Sequence, residues 1–265
     1  MTTTTFDTYL RGVLGLSPNT VLRYTKTVAA WTGWLGNRPP THDAAREWLS
    51  AIENPKSRRV HAAGLKAWFA WLDPRNPLAV RVRVGQSLPK PLTLAELHRA
   101  VTFSQGKRRL MVLTLAFSGL RLEEFISLRP QSIMDDAPAI RVTGKGDKER
   151  VIDIPPTLHR MLQEEAKARR QGYLFRGQKA RNPMHPNTVY HAMREIGMAV
   201  GIPDLHPHRL RHTYATWLYA LTRDPFYVAR QMGHVTIQTT MGYAGMATAP
   251  AGITTMEDLL RWVSS

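Results

Sequence analysis

The chain has 265 residues and carries 36 Lys and Arg against 20 Asp and Glu, a formal net charge of +16 at pH 7. It contains no cysteine, which excludes disulfides, zinc fingers and thiol nucleophiles. No apolar run reaches the ~18 residues of a membrane helix, and the first residues do not resemble a signal peptide, so we expect a cytoplasmic protein with no membrane partner.

The positive charge is spread over both halves of the chain. Residues 1–85 hold 12 basic and 5 acidic residues, and residues 86–265 hold 24 and 15. Because neither half is a charged tail, this distribution favours two folded basic regions that close around a polyanion and release its counterions. The alternative is an ordinary solvated basic surface, since charge alone defines no chemistry.

The first region has the pattern of a helical domain. Ser17 and Pro18 occupy the N-cap and first position of a long helix, and apolar residues follow at helical spacing. The tryptophans of this region are interpreted as core residues. We predict a domain over residues 1–85, whose four helices cover residues 6–14, 18–35, 44–52 and 58–72.

A proline-rich stretch over residues 74–91 follows this domain. It carries four prolines, one glycine and little helical pattern, and we place the linker itself at residues 86–91. A second domain is predicted over residues 92–265. It begins with the pattern of a capping box, in which Thr93 is the N-cap and Glu96 follows three residues later.

Within the second domain the hydrophobic period changes from helical to alternating and back. Residues 139–155 alternate around a glycine-rich turn that presents Lys145, Asp147 and Lys148, which predicts a β-hairpin. The fold class is therefore mainly α with a small β-hairpin (α+β). Helices are predicted over residues 107–118, 122–129, 158–170, 186–200, 208–221, 225–232 and 256–263.

Residues 206–216, HPHRLRHTYAT, place three histidines and two arginines within seven positions. His208 and His212 are four residues apart, like the histidines of a zinc helix. However, the glutamate of that motif is absent, and Arg209 and Arg211 would repel a cation. The stretch TGKGDK similarly lacks the spacing of a phosphate-binding P-loop. We therefore predict no metal and no cofactor.

Phosphoryl transfer without a metal has a defined set of requirements. Guanidinium groups must bind the phosphate oxygens, an acid must protonate the leaving oxygen, and histidines must hold or transfer protons. In a chain without cysteine, a tyrosine can serve as the nucleophile. The chain contains such a set, widely spaced in sequence: Arg121, Lys145, His208, Arg211, His234 and Tyr243.

The segments that carry these residues resemble the catalytic motifs of the tyrosine recombinases, the phage-integrase and Xer-type family. Tyr243 lies nine residues beyond His234, the spacing of the family's nucleophile. The resemblance is strong over residues 90–245 and loose over the first domain. The other matching stretches are GLRLEEF at 119–125, GKG at 144–146, HRLRH at 208–212 and MGH at 232–234, where Met232 replaces the family's leucine.

The resemblance implies chemical roles for four residues. Arg121 and Arg211 would clamp the scissile phosphate, and Tyr243 would attack it. Lys145 would protonate the departing 5′-oxygen, although a solvated lysine is also common at a hairpin tip. Of the other tyrosines, Tyr214, Tyr219 and Tyr227 are interpreted as core, and Tyr190 as a contact to the DNA backbone.

Supporting roles are also implied. His208 and His234 would contact the phosphate or transfer protons, although a structural role at a helix start or end competes for both. Glu124 would orient an arginine from a buried position. His206 and His212 are supporting candidates for which a purely structural role is equally open.

The resemblance further implies double-stranded DNA as the substrate and a homo-tetramer on two DNA sites as the assembly. A 3′-phosphotyrosine would form and then be resolved by the 5′-hydroxyl of a second duplex, without ATP. A directionality or host accessory factor is a further possible partner. The last helix, MEDLLRWV, would dock on a neighbouring protomer or pack within its own chain. The candidates for phosphate contact are Arg58, Arg59, Lys66, Arg176, Lys179 and Arg181.

Several functions are compatible with these motifs. The few residues before the first predicted helix leave no room for the arm-binding domain of many phage integrases, and the divergent first half favours an integrase of a phage or mobile element. The alternative within the family is a Xer-type resolvase of chromosome or plasmid dimers. Outside it, the alternatives are a type IB topoisomerase and a catalytically inert DNA-binding protein.

Overall fold

The structure is a computed structural model that describes residues 5–85, 90–144, 149–169, 171–177, 182–234, 236–243 and 245–265. Within these ranges the chain is mostly helical and contains one two-stranded sheet, so the predicted fold class is confirmed. The chain divides into two compact units, residues 1–87 and residues 88–265. Among the described residues, no helix combines the length and apolar character that crossing a membrane requires.

The first unit is built from helices whose starts are set by capping side chains. The Thr41 side chain accepts a hydrogen bond from the backbone of the first turn of the third helix, and the Asn54 side chain does the same for the fourth helix. Both helices therefore begin two or three residues before the predicted positions, because the caps initiate them ahead of the first apolar residue. The helices are α1 (Phe6–Thr8, continued by a π-helical turn over Tyr9–Val13), α2 (Pro18–Leu35), α3 (His42–Ser50) and α4 (Pro55–Leu72).

Aromatic side chains form the centre of the first unit's core. Trp31 is fully buried, and its ring meets that of Trp68 edge-to-face at 5.0 Å between centroids. Phe69 packs against the same tryptophan, and Leu65 is fully buried beside them. The interpretation of these aromatic residues as core is confirmed for Trp31. Large buried rings of this kind contribute strongly to the stability of a small helical domain.

The second unit starts with the predicted capping box. Thr93 accepts from the backbone of Glu96, and the Glu96 carboxylate accepts from the backbone of Thr93. One helix, α12, was not predicted, because five residues carry too little periodicity. The helices are α5 (Leu94–Phe103), α6 (Gly106–Ser118), α7 (Leu122–Ser127), α8 (Pro156–Arg169), α9 (Pro186–Ala199), α10 (Pro207–Thr222), α11 (Pro225–Met232), α12 (Ile237–Met241) and α13 (Met256–Ser264).

The predicted β-hairpin is formed by β1 (Ala139–Thr143) and β2 (Glu149–Asp153), paired antiparallel. In its register Ile140 lies opposite Ile152, and Val142 lies opposite Arg150. Since side chains alternate between the faces of a strand, these four residues share the inner face. Residues 145–148, which include the candidate Lys145, lie outside the described residues.

Helix α6 lies at the centre of the second unit. All its residues from 110 to 118 are buried, and it packs against α5, α8, α10 and α13. Helix α10 is also buried over most of its length. An all-round apolar helix is the expected centre of a multi-layer helical core. The start of α10, with its histidines and arginines, lies at the edge of this core.

The last helix packs within its own chain. Leu259, Leu260 and Val263 of α13 are buried in the core of the second unit. Glu257 accepts hydrogen bonds from the backbone and hydroxyl of Thr157, in the first turn of α8, at 3.1 and 2.5 Å. In this single chain the segment packs within its own chain, and its docking on a neighbouring protomer stays a prediction.

Candidate active site

The second unit contains an open cleft of about 1020 Å³. Its wall includes five of the six predicted catalytic residues, which come from the start of α7, the first turns of α10 and the segment after α11. Lys145, the sixth, lies outside the described residues. The predicted residues on the cleft wall are Arg121, His206, His208, Arg211, His212, His234 and Tyr243.

Arg121 is placed at the start of α7 by a sharp turn. The preceding Gly119 ends α6 in the left-handed conformation (φ 60°), and a Cβ there would collide with the ring of Tyr214. The Arg121 guanidinium donates to a Glu124 carboxylate oxygen at 3.0 Å and to the Gly233 carbonyl at 2.9 Å. With 43% of its side chain exposed, Arg121 remains open to a ligand in the cleft.

Glu124 is buried, as predicted, and its carboxylate is bound by two arginines. It accepts from the backbone and side chain of Arg121, and from both terminal nitrogens of Arg150 at 2.8 Å each. Burial alone would raise the pKa of this carboxyl, but the hydrogen bonds from Arg150 and Arg121 outweigh it and lower the pKa to about 2. Glu124 is therefore ionised at neutral pH.

Arg150 is a residue of this site that sequence reasoning missed. Besides its paired bonds to Glu124, its Nε donates to the Gln231 carbonyl at 3.2 Å. A signal for it was present, since Arg150 is in phase with Ile152 and Ile154 on the inner face of the hairpin. An arginine among inward-facing residues requires a buried partner.

Arg211 is buried, with only 3% of its surface exposed. Its terminal nitrogens donate to the carbonyls of Gly119 and Met232, the latter at 2.5 Å. Burial, and then the positive charge of Arg121, lower its pKa to about 10. The guanidinium therefore keeps its charge at neutral pH, close to the second cation of the site.

His206 and His208, at the start of α10, differ in what they contact. His206 is the N-cap of the helix, and its Nδ1 accepts from the backbone of Arg209 at 3.1 Å, which is the structural role considered above. His208 is exposed to the cleft, and its ring centroid lies 4.3 Å from that of His212. Partial desolvation of the ring at the cleft wall, and then the charge of Arg211, lower the pKa of His208.

Tyr243 lies between two histidines. Its hydroxyl is 2.9 Å from Nδ1 of His212, and its ring is nearly parallel to that of His234, with the centroids 6.4 Å apart. His234 itself makes a hydrogen bond between its Nδ1 and the Thr240 hydroxyl at 3.0 Å. The tyrosine is almost fully buried, and burial raises its pKa while Arg211 opposes the rise.

Both histidines that flank Tyr243 are neutral at neutral pH. Burial, and then the surrounding positive charges, lower the pKa of His212 and of His234 to about 4. A neutral His212 whose Nδ1 faces the tyrosine can accept a proton from it when the other ring nitrogen carries the hydrogen. The arrangement thus provides a base for a tyrosine nucleophile and two guanidinium groups for an anion.

The other tyrosines of the second unit do not share these features. Tyr214 is buried, and burial raises its pKa. Tyr227 donates to the Asp153 carboxylate at 2.9 Å, and burial together with this bond raises its pKa to about 12. Tyr190 is exposed on α9 at the cleft wall.

The model of the phage integrase family matches residues 90–249, more than half of the chain. This chain belongs to that family, the tyrosine recombinases. The resemblance seen in the motifs is therefore confirmed at the level of the family.

This recombinase is similar to curated relatives over most of its length. It is 30% identical over 272 residues to the tyrosine recombinase XerC of Mesorhizobium japonicum, covering 88% of this chain and 87% of the relative. Identity to XerA of Thermococcus kodakarensis is 30% over 251 residues, covering 90% and 88%. Among solved structures, the integrase of the transposon Tn1549 in complex with circular intermediate DNA has a TM-score of 0.75 at 20% identity, covering 92% of this chain and 94% of that one, a likeness of fold.

Two of the recombinase's predicted phosphate contacts bind its own backbone. Arg58 donates to the Ile52 carbonyl at 2.8 and 2.6 Å, just beyond the end of α3. Arg176 donates to the carbonyls of Arg169 and Gln171 at 3.1 and 2.6 Å. Since these bonds occupy part of each guanidinium, both residues have a structural role that the sequence did not indicate.

A basic groove in the first unit holds two other predicted contacts. Arg59 and Lys66 line a groove of about 660 Å³ together with Arg81 and Arg83. The last two were missed; they alternate with partly buried valines, which places both on the exposed side of their extended segment. The remaining predicted contacts, Lys179 and Arg181, lie outside the described residues.

The described residues of the recombinase include no group of three or more His, Asp or Glu placed to hold a metal ion. The positive charge in the cleft comes instead from side chains. The charges of Arg211 and Arg121 both act on His234, and Arg194 also lines the cleft. Guanidinium forks match the geometry of phosphate oxygens.

Proposed function

We propose that this protein cuts and rejoins double-stranded DNA at specific sites through a 3′-phosphotyrosine on Tyr243. One observation carries the proposal: a buried tyrosine, a neutral histidine in contact with its hydroxyl, Arg121 and Arg211 line one cleft, although they come from three segments that are distant in sequence. The Tn1549 transposon integrase, which has the same fold, was solved with DNA, and this supports DNA as the substrate.

The two arginines are suited to bind the scissile phosphate. Arg121 lowers the pKa of Arg211, so their positive charges repel each other. A phosphate bound between them relieves this repulsion. As attack proceeds, negative charge grows on the non-bridging oxygens, and fixed guanidinium groups stabilise that charge more strongly than they stabilise the ground state. This would favour the transition state of cleavage.

The tyrosine and its neighbours would carry out the chemistry. Tyr243 transfers its proton to His212 as its oxygen bonds to phosphorus, and the bond from phosphorus to the 5′-oxygen breaks. The departing 5′-oxygen takes a proton from an acid, the role proposed for Lys145. In the second step, which is the chemical reverse of cleavage, the 5′-hydroxyl of a second strand attacks the phosphotyrosine and releases Tyr243. Because the phosphodiester energy is conserved, the reaction needs no ATP.

Replacing the nucleophile gives the direct test. The wild type, incubated in chelator with nicked duplexes from the DNA that flanks the gene, should form an adduct that persists on a denaturing gel. Tyr243→Phe should form none, because the ring remains while the attacking oxygen is lost. Tyr227→Phe is the matched control, since it removes a hydroxyl that donates to Asp153 outside the cleft, and its adduct should remain.

Three results would contradict the proposal. Tight binding of these duplexes without any adduct from the wild type would favour the inert DNA-binding protein. An adduct in Tyr243→Phe would identify a different nucleophile. Relaxation of a supercoiled plasmid that lacks the adduct-forming sequence would favour a site-independent topoisomerase.

The biological setting has two candidates. The divergent first half of the sequence favours integration and excision of a phage or mobile element. The relatives named XerC and XerA, which match most of the chain, favour resolution of dimers. Once the cleaved site is known, plasmids can separate the two: resolution joins two identical sites, whereas integration joins two different sites and produces junctions unlike either.

We also propose how the protein assembles on DNA. The first unit would bind the duplex as a core-type DNA-binding domain through the basic groove of Arg59, Lys66, Arg81 and Arg83. A homo-tetramer on two sites would align the strands for exchange, with a directionality or host factor as a further partner. Light scattering of the protein with a duplex that carries the cleaved site would measure this stoichiometry.

A further inference from the structure

We propose that Arg150 is a positioning residue of the recombinase, which acts through Glu124 to hold Arg121 in its phosphate-binding position. The inference rests on the proposed function, since it concerns the geometry of the proposed cleavage site. Arg150 does not line the cleft, and all three of its guanidinium nitrogens donate to protein oxygens, so we assign it no direct contact with the phosphate. Its effect would pass entirely through its protein partners.

The contacts of Glu124 show how this would work. Its two oxygens accept four bonds, two from Arg121 and two from Arg150. The paired bonds from Arg150 are at 2.8 Å and form a fork, which fixes the plane of the carboxylate. The orientation of that plane in turn determines where the Arg121 guanidinium lies. Without the fork, the carboxylate can rotate about its own side chain.

Arg150 also binds the end of α11. Three successive carbonyls there are each bound by a different arginine: Gln231 by Arg150, Met232 by Arg211 and Gly233 by Arg121. The last carbonyls of a helix have no partners within it, so these side chains complete its end. The next residue is His234, which lines the cleft. The three arginines thus join β2, α7 and α10 to the segment that carries this histidine.

The surroundings of Arg150 leave it little freedom. Its side chain is 12% exposed, and all three of its guanidinium nitrogens donate to protein oxygens. It also lies directly against Gly233, where an added Cβ would come within 3.1 Å of the Arg150 guanidinium carbon. A group held on every side is suited to position others and cannot turn toward the DNA.

The test compares the rate of cleavage with the affinity for DNA. The probe is the nicked duplex that gives an adduct with the wild type, and single-turnover adduct formation is measured beside equilibrium binding. Arg150→Met should slow cleavage by about 100-fold, the scale of an ångström-sized misplacement, while affinity stays close to that of the wild type. Arg150→Lys should recover only part of the rate, because an ammonium cannot form the fork.

A double-mutant cycle separates positioning from a general loss of structure. Glu124→Gln removes the charge that Arg150 binds, and the double variant Arg150→Met/Glu124→Gln leaves no unpaired carboxylate in the core. If Arg150 acts through Glu124, the double variant should be no slower than the slower single variant, since the two changes break one interaction. Melting curves for each variant identify any that fails to fold.

Arg141→Met is the matched control. Arg141 lies on the other strand of the same hairpin, on its exposed face, and its removal should leave the rate unchanged. Wild-type cleavage together with an unaltered rate in Arg150→Met, or rate losses that multiply in the double variant, would overturn the inference alone. A wild type that forms no adduct would refute the proposed function and the inference together.

Discussion

Arg211 and Arg121 occupy the same cleft but differ in what holds them. Arg211 is buried and binds two backbone carbonyls, so it supports the structure as well as carrying charge. Arg121 is partly exposed and is held from behind by Glu124. The cleft therefore combines a fixed cation with one whose position depends on a neighbouring carboxylate. The position of Arg121 therefore depends on Glu124 and, through it, on Arg150.

The histidines of the site should make the stability of the protein depend on pH. Burial lowers the pKa of His212 to about 4, below its ordinary value of about 6.5. Between these values the unfolded chain binds more protons than the folded chain. The free energy of unfolding should therefore fall as the pH drops from about 6.5 to about 4.

Urea unfolding at pH 7 and pH 5 would measure this effect. His212→Gln removes the titration and retains a group that can bond to the Tyr243 hydroxyl, so its loss of stability between the two pH values should be smaller than that of the wild type. His191→Gln, which removes an exposed histidine of α9, is the comparison. An equal loss in wild type and His212→Gln would mean that His212 does not contribute.

The turn between α6 and α7 places Arg121 by means of a glycine. Gly119 adopts φ 60° and packs against Tyr214 and Met232, and its carbonyl accepts from Arg211. The same glycine therefore ends α6 and begins the turn that leads to Arg121. Only a residue without a Cβ fits both its backbone conformation and its space.

Gly119→Ala should be strongly destabilising. The left-handed backbone costs alanine about 1–2 kcal/mol, and overpacking against the Tyr214 ring adds to this strain. The free energy of unfolding should therefore fall by about 2–5 kcal/mol in total. Gly201→Ala is the matched control, because Gly201 also has a positive φ (74°) but nothing within 4 Å of an added Cβ, so only the strain applies. Urea denaturation of both variants measures the difference. Equal losses would contradict the packing seen around Gly119.

At the scale of the whole molecule, both units carry excess positive charge. The first 85 residues hold 12 basic and 5 acidic residues, and the remainder hold 24 and 15. The first unit displays a basic groove, and the second places Arg121 and Arg211 in the cleft. Binding that uses both units would neutralise many phosphates and release as many counterions.

The affinity for duplex DNA should therefore depend steeply on salt. With six or more phosphate contacts, binding should weaken by about 10³-fold or more between 50 and 200 mM salt. Fluorescence anisotropy with a labelled duplex measures this dependence. The paired change Arg81→Gln/Arg83→Gln should make the slope shallower, whereas a slope identical to that of the wild type would show that the groove of the first unit does not contact phosphate.

Local signals in the sequence were sufficient for the elements and for most of the site. The capping box at Thr93, the alternation of the hairpin and the apolar stripes of the helices each depend on residues close together in the chain. The motif residues were found because phosphoryl transfer by a tyrosine demands particular side chains. The family followed from their order and spacing, and the comparison with the family model confirmed it.

The sequence by itself thus determined the fold class, the family and five candidate catalytic residues that the structure brings to one cleft. Only the tertiary structure decided which buried groups meet: that Arg150 binds Glu124, 26 positions away, and that three arginines complete the end of α11. Arg58 and Arg176 likewise proved to bind carbonyls that no local pattern indicates. The reason is physical. The chemistry of a side chain determines which kinds of group it can bind, but the partner of a buried donor depends on how distant segments of the chain pack together.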